Sequence, residues 1–191
     1  VPAERVIEAG DGHEVDLNGR RLVCLDTPGH ARHHNAIHDT ASGCVFSGDT
    51  FGLSYREFDT GKGPFILPTT SPVQFDPDES HASIERIVAL DPPAVYPTHY
   101  GRIEEVRRLA NDMHEQIDAM VAIALTSDGA GDDQRHGAMK AGLRALYARR
   151  AARHGWNGDD ARLDELIGMD IELNAQGLAI WLDRRKAARE R

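Results

Sequence analysis

The sequence predicts an α/β fold over residues 1–126 and a helical extension over residues 127–191. Three observations carry the division. Short apolar runs bounded by Gly, Pro, Asn and Asp alternate with a capped helical segment up to residue 101, the pattern of layered strands and helices. All five phenylalanines lie between Phe46 and Phe75, while the chain after residue 101 is rich in Ala, Arg and Leu. Charge follows the same line, with 15 acidic and 7 basic residues up to residue 101 and 16 and 15 beyond it.

The elements follow in order. Gly10-Asp11-Gly12 separates a short strand around Arg5–Ala9 from one over His13–Leu17. Asn18-Gly19 is the dipeptide of a type I′ turn, whose two central residues both take positive φ, so a hairpin continues into Arg21–Asp26. That run holds Leu22, Val23, Cys24 and Leu25 consecutively, which suits a strand buried on both faces. Thr27-Pro28-Gly29-His30 ends it. A second hairpin joins Asn35–Asp39 to Cys44–Ser47 through a turn near Ser42-Gly43. Thr50–Gln74 is a long loop, of a length uncommon without a task. Asp76-Pro77-Asp78-Glu79 opens a helix: Asp76 caps, Pro77 takes the first helical position and Glu79 is spaced to reach back to the cap. Ile84, Ile87 and Val88 give this helix its apolar face, and Pro92-Pro93 stop it. Ala94–Tyr96 is a short strand ending in Pro97-Thr98-His99. Apolar residues from Ile103 to Ala124 at 3,4 spacing make one long amphipathic helix. Ser127–Gln134 reads as a linker, and Arg135–Arg153 and Leu163–Lys186 as two further helices divided by Gly155 to Gly158.

Composition narrows the function. The chain has 191 residues, a formal charge of −9, 40% hydrophobic and 28% charged residues, ordinary values for a globular protein. No apolar run nears the ~20 residues of a membrane-spanning helix, and no basic-then-apolar leader opens the chain. The net acidity is the wrong field for a nucleic-acid groove, which needs a positive stripe. The expected partner is therefore a small-molecule substrate, with no nucleic acid and no membrane. Cys24 and Cys44 read as reduced thiols in buried strands, which points to a cytoplasmic setting. The start at Val1-Pro2 reads as a chain cut upstream.

Three loops carry candidate chemistry. Thr27-Pro28-Gly29-His30, Phe46-Ser47-Gly48-Asp49 and Tyr96-Pro97-Thr98-His99 each put a histidine or aspartate just after a buried strand, in a loop opened by glycine or proline. Loops at strand ends can converge over one sheet edge. Two neutral imidazoles and a carboxylate suit zinc, manganese or iron, and a carboxylate can bridge two cations. Taken singly, each of these is an ordinary turn; the metal reading rests on all three together.

The ordered set Thr27-Pro28-Gly29-His30 with His34, Gly48-Asp49-Thr50 and Pro97-Thr98-His99 resembles the metallo-β-lactamase fold superfamily, and more closely the glyoxalase II-like hydrolases. The resemblance runs from Val15 to about Leu125. It implies that this chain is the C-terminal half of a four-layer αββα sandwich with a helical extension, since the leading His-x-His-x-Asp-His signature is not in the chain. It implies that His30 ligates a first metal, His99 a second, and Asp49 both, with Asp49 the residue that orients the catalytic bridge. The implied cofactors are two divalent ions, zinc first, with iron or manganese as alternatives. His34 is read as lining or supporting the site rather than ligating. The implied reaction is attack of a metal-bound hydroxide on an ester, thioester or lactone carbonyl.

The resemblance also assigns the substrate pocket to the loop after Asp49. Tyr55 is then placed to hydrogen-bond a substrate carbonyl, Arg56 to pair with a carboxylate and Phe51 to line the wall. The alternative is that the aromatics Phe51, Tyr55, Phe58 and Phe65 only hold the long loop onto the core. The C-terminal helices, with Trp156 and Trp181, either gate the pocket, pack against the body, or form homodimer contacts. Two other functions stay open: a mononuclear iron oxygenase of persulfide dioxygenase type on the same fold, and a non-catalytic association module.

Overall fold

The computed structural model describes residues 1–190. Five strands form one sheet in chain order: β1 (Glu14–Leu17), β2 (Arg20–Asp26), β3 (Asn35–Asp39), β4 (Val45–Gly48) and β5 (Val95–Pro97). Neighbours pair antiparallel through β4, and β5 lies parallel to β4. Parallel pairing requires a crossover. Here it consists of the long loop and α1 (Pro77–Ala89). The β1–β2 turn is built as its dipeptide requires, with Asn18 and Gly19 at φ 52° and 86°. The expected strand at Arg5–Ala9 does not form. Val6 and Ile7 are its only branched apolar residues and both are exposed, so nothing repays the ordering of that segment.

The sheet is dry on one side. Leu25, Ala36, Val45 and Val95 are buried with Ile84 and Ile87 of α1 and with Leu109 and Met113 of α2 (Val106–Ser127). The opposite side is open: Phe46 is 43% exposed and stacks at 5.0 Å on Tyr96, and Val15 and Leu17 of β1 are exposed.

Asp76 caps α1 by accepting from the backbone N–H groups of Asp78 (3.1 Å) and Glu79 (3.2 Å). The reciprocal bond from Glu79 is replaced, because the Asp76 N–H donates to Gly29 O at 2.8 Å. Ser83 adds a bond to Pro28 O at 2.6 Å. At Gly29, φ is +129° and a Cβ would overlap the Ser80 backbone, so only glycine lets the Pro28-Gly29-His30 turn lie this close to α1. α2 starts later than its apolar spacing suggests. Ile103 is held in a bridge to Val95, and Glu105, at φ 57°, turns the chain into the helix.

After α2 comes one 3-10 turn, then α3 (Asp132–His154) and α4 (Asp160–Arg189). The expected linker is thus mostly helical. The core is continuous across these helices: Tyr147, Ile167, Ile171 and Leu178 belong to the same apolar cluster as the sheet. Asn174 of α4 is the polar tie. Its Oδ1 accepts from the Thr70 N–H (2.8 Å) and its Nδ2 donates to Pro68 O (3.0 Å) and Tyr147 Oη (2.9 Å). The long loop is therefore packed rather than loose. Phe58, Phe65, Ile66, Leu67 and Phe75 are all buried. Among the described residues, no helix is long and apolar enough to cross a membrane.

Candidate metal centre

The three strand-end loops do converge. His30 Nε2 lies 3.6 Å from Asp49 Oδ2, and His99 Nε2 lies 3.8 Å from Asp49 Oδ1. Each imidazole thus faces a different oxygen of one carboxylate. Among the described residues no group of three or more His, Cys, Asp or Glu side chains is closed up as a cation-binding cluster. The arrangement is instead two half-sites sharing Asp49.

The donor chemistry fits a cation. His30 Nδ1 lies 3.0 Å from Thr69 O, a carbonyl that can only accept, so Nδ1 carries a proton, and in the neutral ring that binds a cation the Nε2 lone pair faces the Asp49 side. Two acceptors then confront each other across 3.6 Å with no hydrogen bond between them. Asp49 Oδ1 is sealed from solvent and has no hydrogen-bond partner among the described residues. An orphaned buried carboxylate oxygen is costly, and a positive ion would satisfy it. Two donors sharing one tetrahedral zinc stand about 3.4 Å apart, so the observed gaps are a few tenths of an ångström wider.

His34 supports Asp49 from behind. The Asp49 N–H donates to His34 Nε2 at 2.9 Å. Thr50 Oγ1 donates to Thr27 O (3.0 Å) and lies 2.8 Å from His34 Nδ1, so it accepts from a proton assigned to that nitrogen. Burial, with His30 nearby, pushes the His34 pKa below its ordinary value, in keeping with a neutral ring. Both of its nitrogens are engaged, leaving neither for a metal. Gly48 makes room for it: φ is +54°, and a Cβ there would overlap His34 Nε2.

The loop after Asp49 is arranged differently from the pocket that the resemblance implies. Phe51 is fully buried in the core, so it packs beneath the site and does not line a pocket. Arg56 donates to Tyr100 O (2.7 Å) and Arg102 O (2.6 Å) and pairs with Asp59, which leaves its guanidinium holding the His99 loop rather than facing a ligand. Tyr55 Oη donates to Asp170 Oδ2 at 2.6 Å, and its ring packs on Tyr100 at 4.2 Å. Burial first, and then this bond, push the Tyr55 hydroxyl pKa well up. Tyr100 adopts φ 77°, an uncommon value for a non-glycine residue, directly beside His99. Trp156 packs on Phe58 at 4.8 Å, in the body rather than at an opening.

Asp170 is a site residue that sequence reasoning misses. It is 8% exposed, and burial raises its pKa against the lowering effects of Tyr55 and nearby His99. One signal could have found it. Leu163, Ile167, Ile171, Asn174 and Leu178 mark the buried stripe of α4, and Asp170 stands on it. A polar residue on such a stripe needs a partner.

No protein-family model matches the chain. The metallo-beta-lactamase fold-containing protein ST1585 of Sulfurisphaera tokodaii is 33% identical over 100 residues, which make up 52% of this chain and 34% of that protein. The solved structure of the archaeal metallo-beta-lactamase superfamily protein ST1585 from Sulfolobus tokodaii superposes with a TM-score of 0.55 at 25% identity, over 92% of this chain and 52% of that one. The metallo-beta-lactamase family protein TTHA1429 from Thermus thermophilus gives 0.51 at 24% identity, over 63% and 38%. The matches thus span between a third and about half of the relatives' own length. The sheet and its flanking helices have the metallo-β-lactamase fold.

Proposed function

We propose that this chain carries part of a dinuclear metal centre of a glyoxalase II-like hydrolase, acting on an ester, thioester or lactone, with His30 and Asp49 holding one ion and Asp49 and His99 the other. The observation that carries the reading is the sealed, unpartnered Asp49 carboxylate oxygen, with one imidazole nitrogen facing each oxygen of that group. Zinc is the favoured metal because the donors are imidazole and carboxylate. When bound, such ions polarise a carbonyl and lower the pKa of a coordinated water toward about 7, giving a nucleophile at neutral pH.

The chain's own residues do the positioning. Thr69 O fixes the His30 tautomer, and the His34 bond to the Asp49 N–H sets the carboxylate between the two histidines. Asp49 orients; it does not attack. Tyr55 and Tyr100 form an aromatic wall braced by Asp170. The open sheet face with Phe46, Tyr96, Val15 and Leu17 supports a further part of the reading: in the working protein a second layer covers it and supplies further ligands. The buried free thiols Cys24 and Cys44 suit a reducing cytoplasm.

The test is metal analysis and turnover of the complete protein purified without chelator. About two zinc ions per chain and hydrolysis of a thioester or lactone panel are expected. Iron with oxygen uptake and no hydrolysis would replace this reading with the oxygenase, and a protein that takes up no metal would leave the association module.

A further inference from the structure

A groove of about 800 Å³ runs between the start of α1, the second half of α2 and the last turns of α4. None of His30, Asp49 or His99 lines it. Three guanidinium groups do: Arg32, Arg184 and Arg185. Among the described residues, none of the three forms an ion pair. Arg185 lies over the Trp181 ring at 5.5 Å. Arg184 Nη1 is sealed from solvent and has no hydrogen-bond partner among the described residues. Among the described residues no side-chain nitrogen of Arg32, Arg184 or Arg185 donates a hydrogen bond, so the donors that reach the groove have no protein acceptor to give up when a ligand binds.

Three carboxylates also line the groove, and two of them are occupied. Asp76 accepts from the N–H groups at the head of α1. Asp118 Oδ1 is 3.2 Å from His81 Nε2, and His81 in turn meets His114 at 2.6 Å. Both keep their negative charge, so with the exposed Asp78 the lining holds three carboxylates and three guanidinium groups, and none of the guanidinium groups pairs with any of the carboxylates. Trp181, Val121 and Leu125 add an apolar wall.

We infer that this groove binds a small organic anion: an oxyanion head, carboxylate or phosphate, taken by Arg184 and Arg32, on an apolar body lying against Trp181. The guanidinium fork matches both heads bidentately. The volume suits a ligand of ordinary small-molecule size. The site stands apart from the metal reading and survives its failure.

Isothermal titration of the full chain with phenyl phosphate, benzoate and inorganic phosphate tests it. Saturable binding of phenyl phosphate or benzoate is expected, tighter than inorganic phosphate. Arg184→Gln should weaken it about tenfold or more, and Arg32→Gln, an exposed change that leaves the core alone, about threefold. Arg189→Gln, on the same helix end and outside the groove, should change it less than about twofold. Binding should persist in Asp49→Ala. No saturable binding by about 5 mM overturns the inference. So does affinity untouched by Arg184→Gln and Arg32→Gln, or affinity lost in Asp49→Ala.

Discussion

The two halves of the candidate centre are built by different means. His30 is 18% exposed at its side chain and is locked by Thr69 O, by the Gly29 turn and by α1. His99 is 53% exposed, and what steadies it is indirect: Tyr100 at positive φ, gripped by Arg56 and packed on Tyr55, which leans on Asp170. One half is a product of the α/β core. The other depends on α4, more than a hundred residues from the loop it braces, since Tyr55 and Asp170 are 115 apart. The helical extension is thus part of the site's architecture, and damage to the two halves should differ in kind.

Asp49 is the one residue common to both halves, so its loss should abolish the contrast. In the complete protein Asp49→Ala is expected to remove metal from both sides and reduce turnover to background, measured by metal content and kcat. Retained activity there would refute the shared-carboxylate arrangement.

Gly48→Ala strikes the core-built side first, through the His34 that holds the Asp49 N–H. The added Cβ meets His34 Nε2, and the residue must hold φ +54°, so a cost on the order of 3 kcal/mol is expected. In a chain this long that is a fall in Tm of roughly 6–12 °C. A melting point within a degree of the parent would mean that His34 moves aside freely, and its support of Asp49 would then be slight.

Tyr55→Phe strikes the other half. It strands the buried Asp170 carboxylate, a loss of about 1–3 kcal/mol. Asp170→Asn in the same background should recover part of it by removing the unpaired charge. The single change Asp170→Asn keeps an acceptor for Tyr55 and should cost less. If Tyr55→Phe raises KM or lowers kcat while His30-side metal content holds, α4 acts on the His99 half, as the geometry requires.

The same contrast separates what is legible in the sequence from what is not. The Asn18-Gly19 turn, the Asp76 cap and the three strand-end loops are local signals, each written in adjacent residues, and each forms at its expected place. Long-range partners are not legible. Nothing near Arg56 says that its partners are carbonyls at residues 100 and 102, and nothing near Phe51 says that it points into the core. Both depend on how an irregular loop is packed by helices that follow it. The Ser127–Gln134 segment, whose polar composition reads as linker, holds the end of α2, a 3-10 turn and the start of α3.

Acid titration should separate two carboxylates of α4 with opposite linkage. Glu172 accepts from Lys140 (2.6 Å), Gln176 (2.8 Å) and His136 (2.9 Å), and these hold its pKa at about 2 against an ordinary 4.5. A depressed folded value means that its contribution is present above about 4.5 and is lost as pH falls toward about 2. Asp170 has its pKa raised by burial, so its contribution is present below its ordinary 3.8 and is lost as pH rises through the folded value. Glu172 lies at the surface, where water screens the pairs, so the effect is small and belongs to the α3–α4 contact. In melts between about pH 6 and 2.5, Glu172→Gln should flatten the loss of Tm toward acid, and Asp170→Asn should steepen it. Parallel curves for the two variants would mean that neither carboxylate is held as its neighbours indicate, and that α4 grips the His99 side by packing alone.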